Sequence, residues 1–538
     1  MKDMKTIYLA EQKAKFAAGR IDRRQFITGL MAAGVVLPTA MSIATDVAAM
    51  TPKKGGTFRV GMGHGSTTDS LDPATYENSF TTAVGFMYGN YLTAVSNTGQ
   101  LEPELAESYE SDDAKTWRFK LRKGVEFHNG KTMTADDVIA SINHHRGEDS
   151  KSAAKGVLAP VEKVEKDGDD VVVFTLKSAN ADFPYLVSDY HLVIKPATNG
   201  KIDPTDGIGT GAYKTDFFEA GVRAGGKRNP NYFKSDAAYF DEVLYLSILD
   251  VTARQNALMS GEVDVIDRVD PKTVALLARN PGIDILELTG TLHYTFPMRV
   301  DQAPFDNKDL RNALKLAIKR QEMVDKILLG HGVVGNDSPL SPAVNTFAAK
   351  SIPQREFDAE KAAELYKKSG HSGTIQLSAS DAAFAGAVDA AQLIAASAKE
   401  VGIDIEVVRE PKDGYWSNVW NKKGWCACYW GGRPTADWMF VSGYTDDTEW
   451  NDTAWKTTDD AKQFNALVRD ARAELDQAKR AQMYEQAQML LHDDGGATVP
   501  MFANYINGVS KKVGHKKEVA SNWNLDGAKA HERWWFNG

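Results

Sequence analysis

The spacing of hydrophobic and polar residues predicts a chain that alternates between strands and helices over most of its length. Residues 56–62 and 116–122 alternate between apolar and polar side chains, as half-buried strands do. From residue 243 to residue 288, short apolar runs alternate with segments of helical spacing, which favours parallel strands joined by crossover helices. The same alternation returns between residues 359 and 430. The pattern therefore predicts an α/β protein with two alternating regions.

Three further segments are assigned from the same patterns. Residues 185–194 are rich in apolar side chains and are predicted to continue a strand-rich region. Residues 309–329 carry apolar side chains at helical spacing until Gly330, which predicts one helix. Residues 498–502 are predicted as a strand near the C-terminus.

The segment 424–440 joins an apolar run of strand type to a loop that carries opposite charges. Glycine and proline residues interrupt the run after Trp430, and Arg433, Asp437 and Trp438 follow. Aromatic rings with one cation and one anion suit a pocket for a small zwitterionic solute, because the rings contribute burial and the charges fix orientation. We predict these four residues as ligand contacts. The alternative is a buried strand that leads into a loop with solvated charges.

A turn after the first predicted strand offers a second set of candidates. Pro73 holds the preceding residue extended, so the chain turns away from the strand. Tyr76, Glu77 and Asn78 follow this turn. Loops at strand ends often contact ligands, so we predict these three residues as further ligand contacts, with simple turn chemistry as the alternative.

Composition limits the classes of function. The 538 residues exceed one ordinary domain, and 43% hydrophobic with 25% charged residues is typical of a globular protein. The net charge of −9 gives no general attraction to nucleic acid or to an anionic membrane. The sequence lacks the Gly-X-Ser-X-Gly and His-Glu-X-X-His motifs of common hydrolases. Cys426 and Cys428 lack nearby partners for a metal site, and strand alternation with ring strain predicts free, buried thiols rather than a disulfide.

The first 49 residues read as an export signal. Arg23 and Arg24 precede a modestly apolar run, and small residues follow up to Ala49. The segment resembles a twin-arginine signal, with cleavage after Ala49 and a periplasmic mature protein. An uncleaved amphipathic anchor is the alternative, since the run is shorter than the roughly 20 residues of a spanning helix.

Short motifs along the chain occur in an order that resembles one family. Together they are similar to the extracytoplasmic solute-binding proteins of dipeptide, oligopeptide and nickel ABC importers, across essentially the whole mature chain. The motifs are residues 55–60 (GGTFRV), 70–73 (SLDP), 103–109 (PELAESY), 121–131 (LRKGVEFHNGK), 209–213 (GTGAY), 228–232 (RNPNY), 304–306 (PFD), 310–311 (LR) and 484–488 (YEQAQ).

The resemblance implies a two-lobed periplasmic binding protein of type II, with a ligand cleft between the lobes and an extra subdomain in lobe I. The implied segments are the signal (1–49), lobe I (50–90, 200–293 and 500–538), the inserted subdomain (91–199) and lobe II (294–499).

The resemblance also implies partners. We expect a monomer without a cofactor, metal or nucleic acid, which captures a peptide or peptide-like zwitterion and delivers it to an ABC permease with its ATPase subunits. In peptide-binding relatives an aspartate holds the amino terminus, and Asp437 is the best match here. The sequence departs from the pattern in two ways: Cys428 stands where an aspartate is usual, and residues 378–384 offer no arginine for the carboxylate. Arg433 is the expected replacement.

Several alternatives stay open at this stage. Within the importer class, the solute is a peptide or a non-peptide such as an opine, a modified amino acid or a sugar. The alternative hypotheses outside the importer class are a secreted hydrolase and a ligand-binding protein for a chemosensory receptor. Neighbouring permease or receptor genes would distinguish import from sensing.

Overall fold

The computed structural model describes residues 8–9, 11–13, 15–16, 21–33, 35–37, 39–41, 52–76, 78–411, 415–448 and 450–537. The predicted cleavage site at Ala49 and much of the export signal lie outside these residues. Within the signal, Asp22 caps a helix, Arg23–Ala32, through a reciprocal capping box with Gln25. No helix in the described part of the chain has the length and hydropathy that a membrane crossing requires.

A nine-stranded mixed sheet organises the molecule. Thr57–Met62 pairs in parallel with Glu242–Ser247 on one side and Val265–Ile266 on the other, and the helix Val251–Ser260 connects these two neighbours. This parallel arrangement with a crossover helix confirms the pattern predicted from the sequence. The strand order is Tyr213–Glu219, Arg223–Arg228, Glu242–Ser247, Thr57–Met62, Val265–Ile266, Met501–Ser510, Ile283–Thr295 and Cys428–Trp430, and Gly332–Val334 also pairs with Met501–Ser510.

Two long antiparallel strands, Ile283–Thr295 and Met501–Ser510, connect the two halves of the protein. At one end Val509 lies in a core with the first strand, and at the other end Met501 lies in a separate core. We call the half around the first core lobe I and the half around the second core lobe II.

Lobe I carries an additional antiparallel sheet. Its strand order is Ala106–Glu110, Thr116–Leu121, Val171–Leu176 and Val161–Lys166. The amphipathic helix Ala135–His144 packs on this sheet and begins at Thr134, which forms a capping box with Asp137.

Lobe II contains a parallel strand pair, Ile375–Ala379 and Ile405–Arg409, joined by the helix Ala387–Glu400. A second apolar core beside it contains the packed side chains of two long helices, Asp459–Ala473 and Gln477–Asp494. The other helices of this lobe are Lys308–Leu316, Arg320–Lys326, Ala359–Ser369, Tyr415–Asn418 and Ala436–Gly443.

The remaining elements are short. They are the helical turns Pro73–Thr75, Lys155–Leu158, Phe183–Leu186, Pro271–Thr273, Val274–Leu277, Asn524–Gly527 and Ala530–Arg533, the longer helix Ser79–Tyr88, and the strands Thr93–Val95, Leu101–Pro103, Ala197–Thr198, Lys201–Ile202, Val513–Gly514 and Trp535–Phe536.

Two predictions from the sequence pattern were wrong. Residues 185–194 form no strand: the helical turn Phe183–Leu186 leads into turns in which Asp189 accepts a hydrogen bond from the His191 amide (2.9 Å). Residues 309–329 form two helices rather than one. The break directs Arg320 to the buried carboxylate of Asp337 at 2.7 Å, a tertiary contact that hydrophobic spacing does not reveal.

Candidate functional site

A small cavity lies where lobe I, lobe II and the C-terminal segment meet. It contains about 360 Å³ of open space, counting the part continuous with bulk water. Pro434 and Trp438 come from lobe II, and the remaining lining residues come from lobe I and the C-terminal segment. Those residues are Phe86, Ala94, Val95, Ser188, Asp189, Asn522, Trp523, Gly527 and Lys529.

Arg433 lies beside this cavity, directly after the edge strand Cys428–Trp430. Gly432 adopts a left-handed backbone (φ 46°), and a side chain there would clash with Thr291, so glycine permits the close turn that positions Arg433. The guanidinium donates a hydrogen bond to Gly432 O (2.9 Å). Among the described residues no carboxylate forms an ion pair with it.

The surroundings of Arg433 are poor in water. Desolvation lowers its pKa, whereas Tyr190, Asp189 and Tyr505 act in the opposite direction. Burial also lowers the pKa of the neighbouring His293 to about 4, so the imidazole is neutral at pH 7, and Arg433 adds to this effect. A cation without a counterion in such surroundings is suited to receive an anionic group from a ligand.

Asp437 lies in the first turn of the helix Ala436–Gly443, which Thr435 caps. Its carboxylate is buried and accepts a hydrogen bond from Arg472 Nε at 2.8 Å. Burial raises the pKa of Asp437 to about 6, although Arg472 opposes the shift. Arg472 therefore holds the carboxylate that we expected to contact a ligand ammonium.

The two predicted tryptophans lie in different places. Trp438 belongs to lobe II but packs among the apolar side chains of the lobe I core, at the cavity wall. Trp430 lies in the core of lobe II, where its indole donates to Asp452 Oδ2 (3.3 Å). The structure thus places Trp438 at the cavity wall and Arg433 directly before the lining residue Pro434, whereas Trp430 lies in the lobe II core.

The second predicted set has local contacts. Tyr76 is buried, and its hydroxyl lies 2.7 Å from the hydroxyl of Tyr88. Asn78 caps the helix Ser79–Tyr88 and donates to Asp69 (2.7 Å). Glu77 lies outside the described residues. Neither Tyr76 nor Asn78 lines the cavity, which agrees with the turn-chemistry alternative.

Sequence patterns missed the lobe I side of the cavity. Asp189 lines it and is held by His191 Nδ1 at 2.6 Å, and Trp523 packs edge to face against Tyr190. These residues come from irregular segments without periodicity. The only indication in the sequence that these segments line a cavity was the apolar and aromatic composition around Tyr190 and Trp523.

Direct contacts also join the two lobes next to the cavity. The Ala181 amide of lobe I donates to Arg472 O of lobe II at 2.7 Å. With Trp438 inserted into lobe I, these contacts define a closed arrangement of the lobes.

The cysteine prediction is confirmed, because Cys426 and Cys428 are free and buried. Burial raises the pKa of the Cys426 thiol to about 12. In the described ranges, no group of three or more histidine, cysteine, aspartate or glutamate residues is placed to hold a metal ion.

Two lobes that share a sheet and close over a cavity define the class of two-lobed solute-binding proteins. The chain belongs to the bacterial extracellular solute-binding proteins, family 5, whose sequence model matches residues 100–452. It is 25% identical to the dipeptide-binding protein of Escherichia coli K12 over 471 residues, which cover 79% of this chain and 85% of that protein.

Solved structures show the same fold. The substrate-binding protein CtaP of Listeria monocytogenes superimposes with a TM-score of 0.77 at 21% identity, over 90% of this chain and 100% of that one. The binding protein AgaA of A. tumefaciens R10, solved with agropinic acid, superimposes with a TM-score of 0.74 at 24% identity, over 90% and 99% of the two chains. The predicted fold class and family are confirmed.

Proposed function

We propose that this chain is the exported solute-binding component of an ABC importer, which captures a small solute bearing a carboxylate between its lobes and delivers it to the membrane permease. It acts in the periplasm, as a monomer, by binding rather than catalysis. A peptide or peptide-like solute is the main candidate, since the similar protein of Escherichia coli is a dipeptide-binding protein.

The observation that carries this proposal is the unpaired cation between the lobes. Arg433 has no ion-pair partner among the described residues, and it directly precedes Pro434, which lines the cavity together with Trp438. A carboxylate would satisfy the guanidinium with two parallel hydrogen bonds, while Trp438 packs against the body of the solute. The domain boundaries given above, including lobe II at 294–499, belong to this proposal.

Asp437 can contact a ligand ammonium group only if Arg472 releases its carboxylate. The variant Asp437→Asn tests this contact.

A non-peptide solute is the second candidate for the ligand, and the similarity to AgaA with its bound agropinic acid favours it.

The test is the binding of the co-purified solute to Arg433→Gln and Arg433→Lys, measured by calorimetry. Loss of a buried charged hydrogen bond typically costs on the order of 2–5 kcal/mol, or about 30-fold or more in affinity. We expect Arg433→Gln to lose this affinity and Arg433→Lys to lose less.

Ligand-free melting separates binding from structure. Because an unpaired, desolvated cation destabilises the closed protein, Arg433→Gln without solute should melt at the same temperature as the wild type or higher. Wild-type affinity in Arg433→Gln, or a large drop in ligand-free melting temperature, would show that Arg433 is structural.

A further inference from the structure

A short hairpin in lobe I carries an asparagine directly before a glycine at its exposed turn. Its two strands, Ala197–Thr198 and Lys201–Ile202, are antiparallel and are joined by Asn199 and Gly200 alone. Both joining residues have left-handed backbones, with φ 52° at Asn199 and 74° at Gly200. This is the geometry of a type I′ two-residue turn, which the sequence Asn-Gly favours.

The base of this hairpin is anchored, and its tip is open. The Ala197 amide donates to Asp137 Oδ1 (2.7 Å), and Lys131 Nζ donates to Ala197 O (2.7 Å). Asn199 and Gly200 are both exposed, and a Cβ added to Gly200 would meet no atom within 4 Å. In the described part of the chain, no hydrogen bond holds the Asn199 carboxamide or the Gly200 amide. Both groups are therefore free to react.

An asparagine that precedes glycine loses its side-chain amide without an enzyme. The Gly200 nitrogen bonds to Cγ of Asn199, the bond from Cγ to the side-chain nitrogen breaks, and ammonia leaves with the proton of the Gly200 amide. Water then opens the resulting cyclic imide on either side, which yields aspartate or isoaspartate. The reaction needs no oxidant or reductant. Glycine favours it because no side chain blocks the attacking nitrogen.

The other Asn-Gly sequences of the chain lie at residues 129–130, 507–508 and 537–538. Asn129 is exposed, but its Oδ1 atom accepts the Lys131 amide (3.1 Å). The Gly130 amide donates to Phe127 O (2.8 Å). Because these bonds hold both the carboxamide and the attacking nitrogen, they must break before the imide can form.

Burial protects a third asparagine. Asn507 lies fully buried in the strand Met501–Ser510, and its side chain accepts the Leu525 amide (3.3 Å). The Asn537 carboxamide donates to Lys511 O (2.9 Å), and the glycine that follows it lies outside the described residues. The expected order is therefore Asn199 before Asn129, with Asn507 unreactive while the protein is folded.

We propose that Asn199 is a modification site, at which water converts the asparagine through an intramolecular imide into aspartate and isoaspartate. Both products add one negative charge at the tip of the hairpin. Isoaspartate also adds one carbon atom to the backbone of a two-residue turn, which alters the pairing of Thr198 with Lys201. Asn199 does not line the cavity between the lobes, so this proposal is independent of the solute.

The first experiment follows the reaction in the folded protein. Purified protein is incubated at pH 8.5 in water enriched in heavy oxygen, digested at mildly acidic pH, and analysed by peptide mass spectrometry with fragmentation that distinguishes isoaspartate. Because water supplies one oxygen atom to each product, the label marks only chains that reacted during the incubation. We expect label first at residue 199, in both products, then at residue 129, and none at residue 507.

Two results of this experiment would overturn the proposal. One is the absence of label at residue 199. The other is labelling of residue 129 at an equal or higher rate, since its hydrogen-bonded turn is the matched comparison within the same molecule.

The second experiment tests whether the folded structure sets the order. In guanidinium chloride at the same pH, residues 129, 199 and 507 should all take up label, and the differences between their rates should shrink. The same ratios in folded and unfolded protein would show that neighbouring side chains select Asn199, which would overturn the structural argument.

The pH dependence and one variant identify the route. The Gly200 amide must lose its proton, so the rate at residue 199 should fall from pH 8.5 to pH 6. Gly200→Ala places a methyl group beside the attacking nitrogen and should slow labelling of residue 199 severalfold, with residue 129 of the same chain as the control. Aspartate as the only product, at a rate unaffected by pH or by Gly200→Ala, would indicate direct hydrolysis of the side chain and overturn the imide route.

Discussion

Arg480 of lobe II forms an ion pair with Asp182 of lobe I at 2.7 Å, and both side chains are almost fully buried. Asp182 also acts on Asp437, whose own partner is Arg472. Four charged groups therefore meet where the lobes touch. Because the Arg480–Asp182 ion pair joins the two lobes, it stabilises the closed form and is broken when the lobes separate.

Asp182→Asn should weaken solute binding without unfolding either lobe. Arg480 keeps its hydrogen bond to Ala471 O (3.0 Å) and its position over the Phe347 ring, so lobe II retains its packing. Affinity for the co-purified solute should fall by about 30-fold or less, since breaking a buried pair costs on the order of 2 kcal/mol or more and part is recovered by water in the open form.

Calorimetry measures this affinity, and small-angle scattering should show a larger radius of gyration for the variant at subsaturating solute. Asp167→Asn, which removes an exposed ion pair with Arg118, is the control. Unchanged affinity in Asp182→Asn would mean that the pair does not contribute to closure.

Asp452 should make lobe II less stable as the pH rises from about 4 to about 6. Burial raises the pKa of Asp452 from 3.8 to about 6, and the indoles of Trp420 (2.9 Å) and Trp430 (3.3 Å) only partly oppose this. The folded state therefore binds more protons than the unfolded state in this window, and the loss is complete above about pH 6.

Asp452→Asn should remove a pH-dependent penalty on the order of 2–3 kcal/mol. Chemical denaturation at pH 4.5 and pH 7.5 should show a smaller loss of unfolding free energy in the variant than in the wild type. Because the pKa of Asp437 is also raised, stability still falls with rising pH in the variant, although less than in the wild type. The control is Asp459→Asn at a fully exposed carboxylate. Parallel profiles for Asp452→Asn and the wild type would contradict the assignment.

The two thiols should react only after unfolding. Burial raises the pKa of Cys426 to about 12 and that of Cys428 well above its usual value. Since the thiolate is the reactive form, the native protein should be inert to a thiol reagent at pH 8, and unfolded protein should titrate two thiols. Fast native reaction would show that the strand is accessible, and no reaction after unfolding would show a disulfide.

Replacement of Arg23 and Arg24 by lysine should keep the precursor in the cytoplasm. The expectation rests on the arginine pair before a weak apolar run. Fractionation followed by immunoblotting measures the result, with Lys13→Arg as a control outside the pair. Normal periplasmic accumulation of the lysine variant would indicate the general secretory route.

The regions of alternating strands and helices were predictable from the sequence, and the cavity was predictable only in part. Residues 387–401 show helical spacing, and the structure has a helix at Ala387–Glu400, because burial of one face governs both. Ion pairs between residues far apart in the sequence leave no periodic pattern that could predict them. Nothing in the residues around Asp437 indicates Arg472, which lies 35 positions later and removes the carboxylate from the expected role.

Turn geometry limited the prediction in the same way. Residues 185–194 are apolar because many of them pack in the lobe I core, but the hydrogen bond that the Asp189 carboxylate accepts from the His191 amide favours turns over a strand.

The chain leaves lobe I and returns to it at neighbouring points. Phe296 donates its amide to Thr498 O at 2.8 Å, just beyond the paired strands Ile283–Thr295 and Met501–Ser510. The chain therefore enters and leaves lobe II at adjacent points. A short linker that joins residues 295 and 499 would produce lobe I alone, and lobe II would be exchangeable between relatives as one unit.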